Sequence, residues 1–226
     1  MPPRSRILER FRRRGFSFKH AHAILLGVGK GEDTRAVILD EALQVASRSG
    51  FGGLSVGLLA ERTGMSKSGL FAHFRSMDQL QLQVLARARD RFVDVVVRPA
   101  LTAPRGEPRV RAVFENWLRW TGEVLVGGCI FVGAAVELDE QPGELRDALV
   151  GAEQDWLDLL ATVAGTAVAE GHFDPDLDPG QFAFEVHALM LGHHHASRLM
   201  RDPLALTRTR RSFEALIHRA CSVPTL

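Results

Sequence analysis

Cysteine is nearly absent: Cys129 and Cys221 are the only two in 226 residues. They lie far apart and without metal-ligand spacing, which argues against a disulfide scaffold or a zinc site and fits a reducing cytoplasm. Cys129 suits a small buried apolar position better than a redox sensor. No apolar run approaches the roughly 20 residues needed to cross a bilayer, so the sequence predicts no membrane span. Carboxylate pairs, nucleophile elbows and Gly-rich phosphate loops are missing too. Gly127-Gly128 and Gly27-Val28-Gly29 lack the strand-then-helix setting of a nucleotide fingerprint. These absences argue against an enzyme and predict no cofactor. What the chain does have is apolar content: 46% of its residues are hydrophobic, enough for the cores of one small and one larger module.

A net charge of +1 hides an asymmetry. Residues 1–30 carry Arg4, Arg6, Arg10, Arg12, Arg13, Arg14, Lys19 and Lys30 against the single acid Glu9, a local balance of +7 that leaves the remainder at −6. Such an arm can follow phosphates or enter a minor groove. The alternatives are a disordered arm or translation that begins at Val28, ahead of Gly29-Lys30-Gly31-Glu32-Asp33-Thr34. An Arg-rich transit peptide is the weakest reading of this segment.

The strongest local signal runs from Ser55 to Leu80, SVGLLAERTGMSKSGLFAHFRSMDQL. Ser55 is an N-cap with Leu58, Leu59 and Ala60 behind it, which predicts a short helix from about Val56 to Arg62. Gly64 accepts the positive φ of a helix exit. Ser66 caps the next helix, Lys67 to about Phe74, whose N-terminal residues are small and polar and whose later ones are aromatic. Two short helices set at an angle by a tight turn form a helix-turn-helix, with the second helix suited to the major groove. Upstream, Asp33 or Thr34 caps a bracing helix that turns Val37, Ile38, Ala42, Val45 and Ala46 inward.

From Thr63-Gly64-Met65-Ser66-Lys67-Ser68-Gly69-Leu70-Phe71-Ala72-His73-Phe74 and Ser76-Met77-Asp78-Gln79-Leu80, the chain resembles the TetR family of bacterial transcriptional regulators. The direct likeness covers roughly Thr34 to Leu80, and the rest follows in outline. The resemblance implies a homodimer on a double-stranded DNA operator. Lys67, Ser68 and Gly69 then lie near bases or the groove floor, and Ser55, Ser66, Phe71 and His73 near phosphates, with cap or packing roles as the alternative for Ser55, Ser66 and Phe71. The family often has Tyr where Phe71 stands and Lys where Met77 stands. Losing that hydroxyl and that charge weakens the sequence-independent part of binding.

Downstream, Ser76 caps a long helix with Leu80, Val84, Leu85, Phe92 and Val96 on its apolar side, ending at Pro99. Val110, Val113, Phe114, Trp117, Leu118 and Val124 predict another helix that ends near Gly127-Gly128. Cys129–Leu138 reads as a buried helix, and Pro142 opens a longer one carrying Leu145, Leu149, Trp156, Leu159, Leu160 and Val163. Helices of this kind enclose small-molecule sites. Phe92, Phe114, Trp117, Trp120, Phe131 and Trp156, with His187 as a polar member, are the candidate effector-binding residues, each of them otherwise plain core. Asp178-Pro179 and Asp202-Pro203 start the last two helices, Pro179 to about Met200 and Pro203 to about Ala220. The resemblance implies that this hairpin pairs with its twin, through Phe182, Val186, Leu189, Met190 and His193 and through Phe213, Leu216 and Ile217, with Leu206 on the same apolar face.

His193-His194-His195 cannot close on one metal, because neighbours on a helix diverge by about 100°; His187 and His194 share a face but stand about 10 Å apart. No metal site is predicted. The histidines read as pocket and interface groups that make a dimer sensitive to pH. The expected fold is all-α: a basic arm over 1–30, a three-helix helix-turn-helix DNA-binding domain over 31–76, and a larger helical effector-binding and dimerisation domain over 77–226. The expected function is a cytoplasmic homodimeric repressor released from a pseudo-palindromic operator by a small, largely apolar effector. Two alternatives stay open: an effector-independent or partner-dependent DNA-binding regulator, marked by a collapsed C-terminal core, and a metal-dependent enzyme carrying a helix-turn-helix, marked by bound metal and turnover.

Overall fold

The computed structural model describes residues 30–221, so the arm and the alternative start at Val28 lie outside the described residues. The described residues form helices and turns, with no strand among them, in two compact units. Among the described residues, one unit gathers those up to Val93 together with Leu125–Gly151; the other gathers Asp94–Val124 and those from Ala152 onward.

The first unit contains helices α1 (Lys30–Ser49), α2 (Val56–Thr63), α3 (Lys67–His73), α4 (Met77–Phe92) and α7 (Ile130–Leu138). Helix α1 begins ahead of Asp33 and Thr34, which therefore do not cap it. It buries Ile38, Ala42, Leu43, Val45 and Ala46. Val37, expected inside, is 61% exposed; one residue is a 100° turn, and Leu43 completes the inward stripe in its place. Leu59, Leu70, Phe74, Leu80, Val84 and Leu85 close on that stripe, each worth about 1.5–3 kcal/mol in water removed from apolar surface. Polar pairs hold α1 to α4 at the rim. Arg87 makes a bidentate bond to Asp40 at 2.9 and 2.8 Å, and Arg35 reaches Gln83 while its guanidinium lies 5.4 Å from the Phe74 ring centroid.

Helix α4 does not stop at Pro99. A π-helical turn, Val93–Val97, follows Phe92, and a short helix α5 (Arg98–Ala100) carries Pro99 in its first turn, where a missing N–H costs little. Helix α7 was expected to be a buried helix. It buries Ile130, Phe131, Ala134 and Leu138 but leaves Val136 75% exposed.

The second unit is built on α6 (Glu107–Arg119), a π-helical turn over Trp120–Val124, most of α8 (Glu144–Ala169), α9 (Pro179–His194), another π turn over His195–Leu199, and α10 (Ala205–Cys221). Asp178 caps α9 as expected, accepting from the N–H groups of Gly180 at 2.8 Å and Gln181 at 3.2 Å. Phe114 of α6 stacks on Phe213 of α10 with centroids 3.7 Å apart and planes 4° from parallel. Beside that stack Arg210 makes a bidentate ion pair with Glu115. Among the described residues no helix is long and apolar enough to cross a membrane.

Candidate functional site

Helices α2 and α3 are joined by a turn that the sequence fixes residue by residue. Ser55 sits in extended backbone at φ −140° and ψ 149°, and its Oγ accepts the Leu58 N–H at 3.2 Å. At the other end Gly64 takes φ 67°, and the Met65 N–H reaches back to the Ala60 carbonyl at 3.0 Å. Ser66 then caps α3 by accepting the Gly69 N–H at 3.1 Å. Leu70 and Phe74 anchor α3 in the core, leaving Ser66, Lys67 and Ser68 exposed at its start and Gly69 half-buried.

The seven residues expected at DNA are thus gathered on one small pair of helices, with different local duties. Ser55 and Ser66 spend a lone pair on capping, and Ser66 Oγ also lies 3.2 Å from Ser68 Oγ. Lys67 is exposed, with its stem over Gly57: a Cβ there would lie 3.7 Å from Lys67 Cε. His73 ends α3, half-buried and tilted against Phe74 with centroids 6.4 Å apart. The Phe71 side chain lies outside the described residues. A bare lysine and two small residues at the start of a short anchored helix can enter a groove and meet base edges.

The residues expected to bind an effector fall into two groups. Phe92 and Phe131 belong to the first unit, where their rings meet edge-on at 5.5 Å and 79°. Phe114, Trp117, Trp120, Trp156 and His187 belong to the second. Trp117 meets the His193 ring edge-on at 5.9 Å, and Phe114 stacks on Phe213. Two residues of the expected effector set therefore pack on two of the expected dimer set.

The expected dimer residues lie largely inside the protomer. Phe182, Val186, Met190, His193, Phe213, Leu216 and Ile217 are all buried, and Leu189 is half-buried. The His193 ring is held by Thr209: that hydroxyl donates to the Ala205 carbonyl at 2.7 Å, so it accepts from His193 Nδ1–H at 3.1 Å. On the same hairpin Phe184, Leu191, Leu199, Met200, Leu204 and Leu206 are 40–70% exposed. Leu206, expected on the hairpin's packed face, is thus 42% exposed. Positions 182, 186 and 190 and positions 184, 188 and 191 lie on opposite sides of α9, so this helix is apolar on both.

Sequence reasoning missed Glu153. In α8 its Oε2 stands 4.0 Å from His187 Nε2. Burial pushes the Glu153 carboxyl up to about 7 and the His187 imidazole down. The Nδ1 atoms of His187 and His194 are buried with no hydrogen-bond partner among the described residues. A weakly acidic carboxyl beside a neutral imidazole offers one site that can donate or accept toward a small polar head. Nothing in the sequence around Glu153 separates it from the other acids of α8, because its partner stands on another helix. Among the described residues no three His, Cys, Asp or Glu side chains are grouped to hold a metal ion.

Against known families, residues 38–84 match the profile described as bacterial regulatory proteins, tetR family, and residues 106–213 match the one described as tetracyclin repressor-like, C-terminal domain. No curated protein matches the chain. A TetR transcriptional regulator from Chloroflexus aurantiacus is similar in structure, with 24% identity, a TM-score of 0.75 and coverage of 84% of this chain and 94% of its own. A TetR-family regulator from Cytophaga hutchinsonii gives 20%, 0.76, 88% and 100%. AibR, solved with isovaleryl coenzyme A and operator DNA, gives 21%, 0.62, 79% and 97%. At these identities the structural likeness shows the fold.

Proposed function

The chain belongs to the TetR family of bacterial regulatory proteins, and from that premise we propose that it is a cytoplasmic homodimeric repressor which a small effector releases from its operator. The observation that carries the DNA-reading half is the start of α3: Lys67 and Ser68 exposed on a helix that is capped by Ser66 and anchored by Leu70 and Phe74. In a two-fold dimer, two such helices face half-sites about one DNA turn apart, which makes the operator pseudo-palindromic.

The dimer face in this proposal is the exposed apolar side of the last hairpin, centred on Phe184, Leu191, Leu199 and Met200. It replaces the inward set around Phe182 and Val186, which the protomer's own core has used. The effector site is assigned to the second unit's aromatic residues, with Glu153 and His187 as its polar anchor. AibR was solved with an acyl coenzyme A. That ligand does not travel with the fold, and the proposal for this chain is limited to a largely apolar molecule with one polar head.

The test is Lys67→Ala. The expected result is a loss of about tenfold in affinity for a duplex that the wild-type protein selects from a random pool, since a base or phosphate contact is worth about 1–3 kcal/mol. Its melting temperature should stay within about a degree of the parent's, because an exposed charge contributes little to folding. A variant that binds the selected duplex as tightly as the parent overturns the assignment.

A further inference from the structure

The turn that joins α1 to the reading pair, Gly50–Leu54, is held by a residue far along the chain. Glu137, in the last turn of α7, accepts the Phe51 N–H on Oε2 at 2.7 Å and the Gly52 N–H on Oε1 at 2.5 Å. Each carboxylate oxygen therefore takes one backbone amide of the turn. From the side of α4, Gln81 Nε2 donates to the Phe51 carbonyl at 3.1 Å. Phe51 itself is 1% exposed, so the turn is pinned by a buried ring, a carboxylate and an amide at once.

A second grip lies at the start of the strap Leu125–Leu138 that carries Glu137. The Gly127 N–H donates to Ser47 Oγ at 3.2 Å, and the Val126 N–H points to Gln44 Oε1 at 3.4 Å. Gly127 is pressed so closely on α1 that a Cβ there would lie 1.8 Å from the Ser47 carbonyl oxygen. Only glycine permits that approach. The strap Leu125–Leu138 thus holds the last turn of α1 and the link that follows it. It lies in the same compact unit as the helix-turn-helix, although by sequence it falls within the C-terminal family match over residues 106–213.

We infer that Glu137 is the positioning residue for DNA reading: its carboxylate sets the angle at which α2 and α3 leave α1, and so ties that angle to helix α7. The inference rests on the reading that α3 enters DNA. Geometry favours this role over general stabilisation. Ser55, the cap of α2, follows the gripped amides by three residues, so a change at the turn is passed straight to the reading pair. Two charge-assisted bonds to one turn also restrict direction more than a single neutral bond does. Glutamine at 137 keeps the shape but offers a single carbonyl oxygen, and its NH2 group faces a backbone N–H that it cannot satisfy.

The experiment measures Glu137→Gln in the full chain on two duplexes, one selected from a random pool by the wild-type protein and one a scrambled sequence of the same composition. The expected result is about a tenfold loss of affinity for the selected duplex and none for the scrambled one, which senses charge alone. Removing a negative charge by itself strengthens DNA binding, so a loss runs against the electrostatic trend. A defect in folding lowers both affinities together and leaves their ratio unchanged. An unchanged ratio overturns the inference. Hydrogen exchange supplies the second readout: the Phe51 and Gly52 amides should exchange at least about tenfold faster in the variant, while α3 amides such as Leu70 keep the parent's rate. Equal exchange at Phe51 and Gly52 also overturns it. If the wild-type protein prefers no sequence, the DNA-reading premise fails, and the clamp is still judged by exchange.

Discussion

A carboxyl placed beside an imidazole, away from water, changes what pH does to stability. Glu153 is held up to about 7 by burial, whereas in the unfolded chain it ionises near 4.5. Between those values the folded protein keeps a proton that the unfolded chain has lost, so stability falls as pH rises from about 4.5 to about 7. The shift sets an upper bound on the order of 3 kcal/mol, reduced by partial solvent access. His187 works in the other direction: its lowered value means that stability is present above about 6.5 and is lost as pH falls below that. Glu153→Gln removes only the first effect. The variant should melt higher than the parent at pH 7.5 and show no advantage near pH 4.5. Parallel melting curves for the two proteins across this range, by calorimetry or circular dichroism, sink the assignment. Residues such as Glu153 were not legible in the sequence, because what makes them special comes from another helix. Glu137 is the same case, with its amide partners 86 and 85 residues away. Ser55, Gly64 and Ser66 were legible because a cap or a turn is decided within four residues.

Helices were legible wherever one face alone is apolar. Helix α6 buries Val110, Val113, Phe114, Trp117 and Leu118, all read from their spacing. The π-helical turns after α4, α6 and α9 left no trace in that pattern, since one slipped hydrogen bond changes no residue type. Helix α9 misled for a different reason. With apolar residues on both sides, it gave a strong stripe that belongs to the protomer core and a weaker one that remains outside. The reading turn itself can be tested through Gly64. A Cβ at that position meets nothing within 4 Å, so any cost of Gly64→Ala comes from the backbone alone. At φ 67° alanine should lose about 1 kcal/mol and asparagine less, because asparagine tolerates the left-handed region. Chemical denaturation measures both. An alanine variant as stable as the parent rules out the left-handed turn and, with it, the angle between α2 and α3.

For the whole molecule the question is what covers the outer side of the last hairpin. Among the described residues, more than half of the large apolar side chains left exposed fall between Phe184 and Leu206. Phe184 is 65% exposed, Leu199 70% and Met200 65%, on a hairpin whose other side already packs on α6 through the Phe114–Phe213 stack. Exposed apolar side chains gathered on one hairpin point to an interface, and an isologous two-fold contact lets each copy cover the same residues on the other. Placing charge at its centre separates the copies without touching the core, since Phe184 and Leu199 stand in solvent in the protomer. The double variant Phe184→Glu, Leu199→Glu should therefore keep its helical content and sediment as a monomer, whereas the parent should sediment as a dimer. Its affinity for the selected duplex should fall by at least about a hundredfold, well beyond the loss from Lys67→Ala. Two linked reading heads bind with an avidity that no single contact supplies, and one head alone retains mainly the charge-driven part. A parent that sediments as a monomer, or a double variant that remains a dimer, removes this hairpin from the proposal and leaves the spacing of the two half-sites to some other surface.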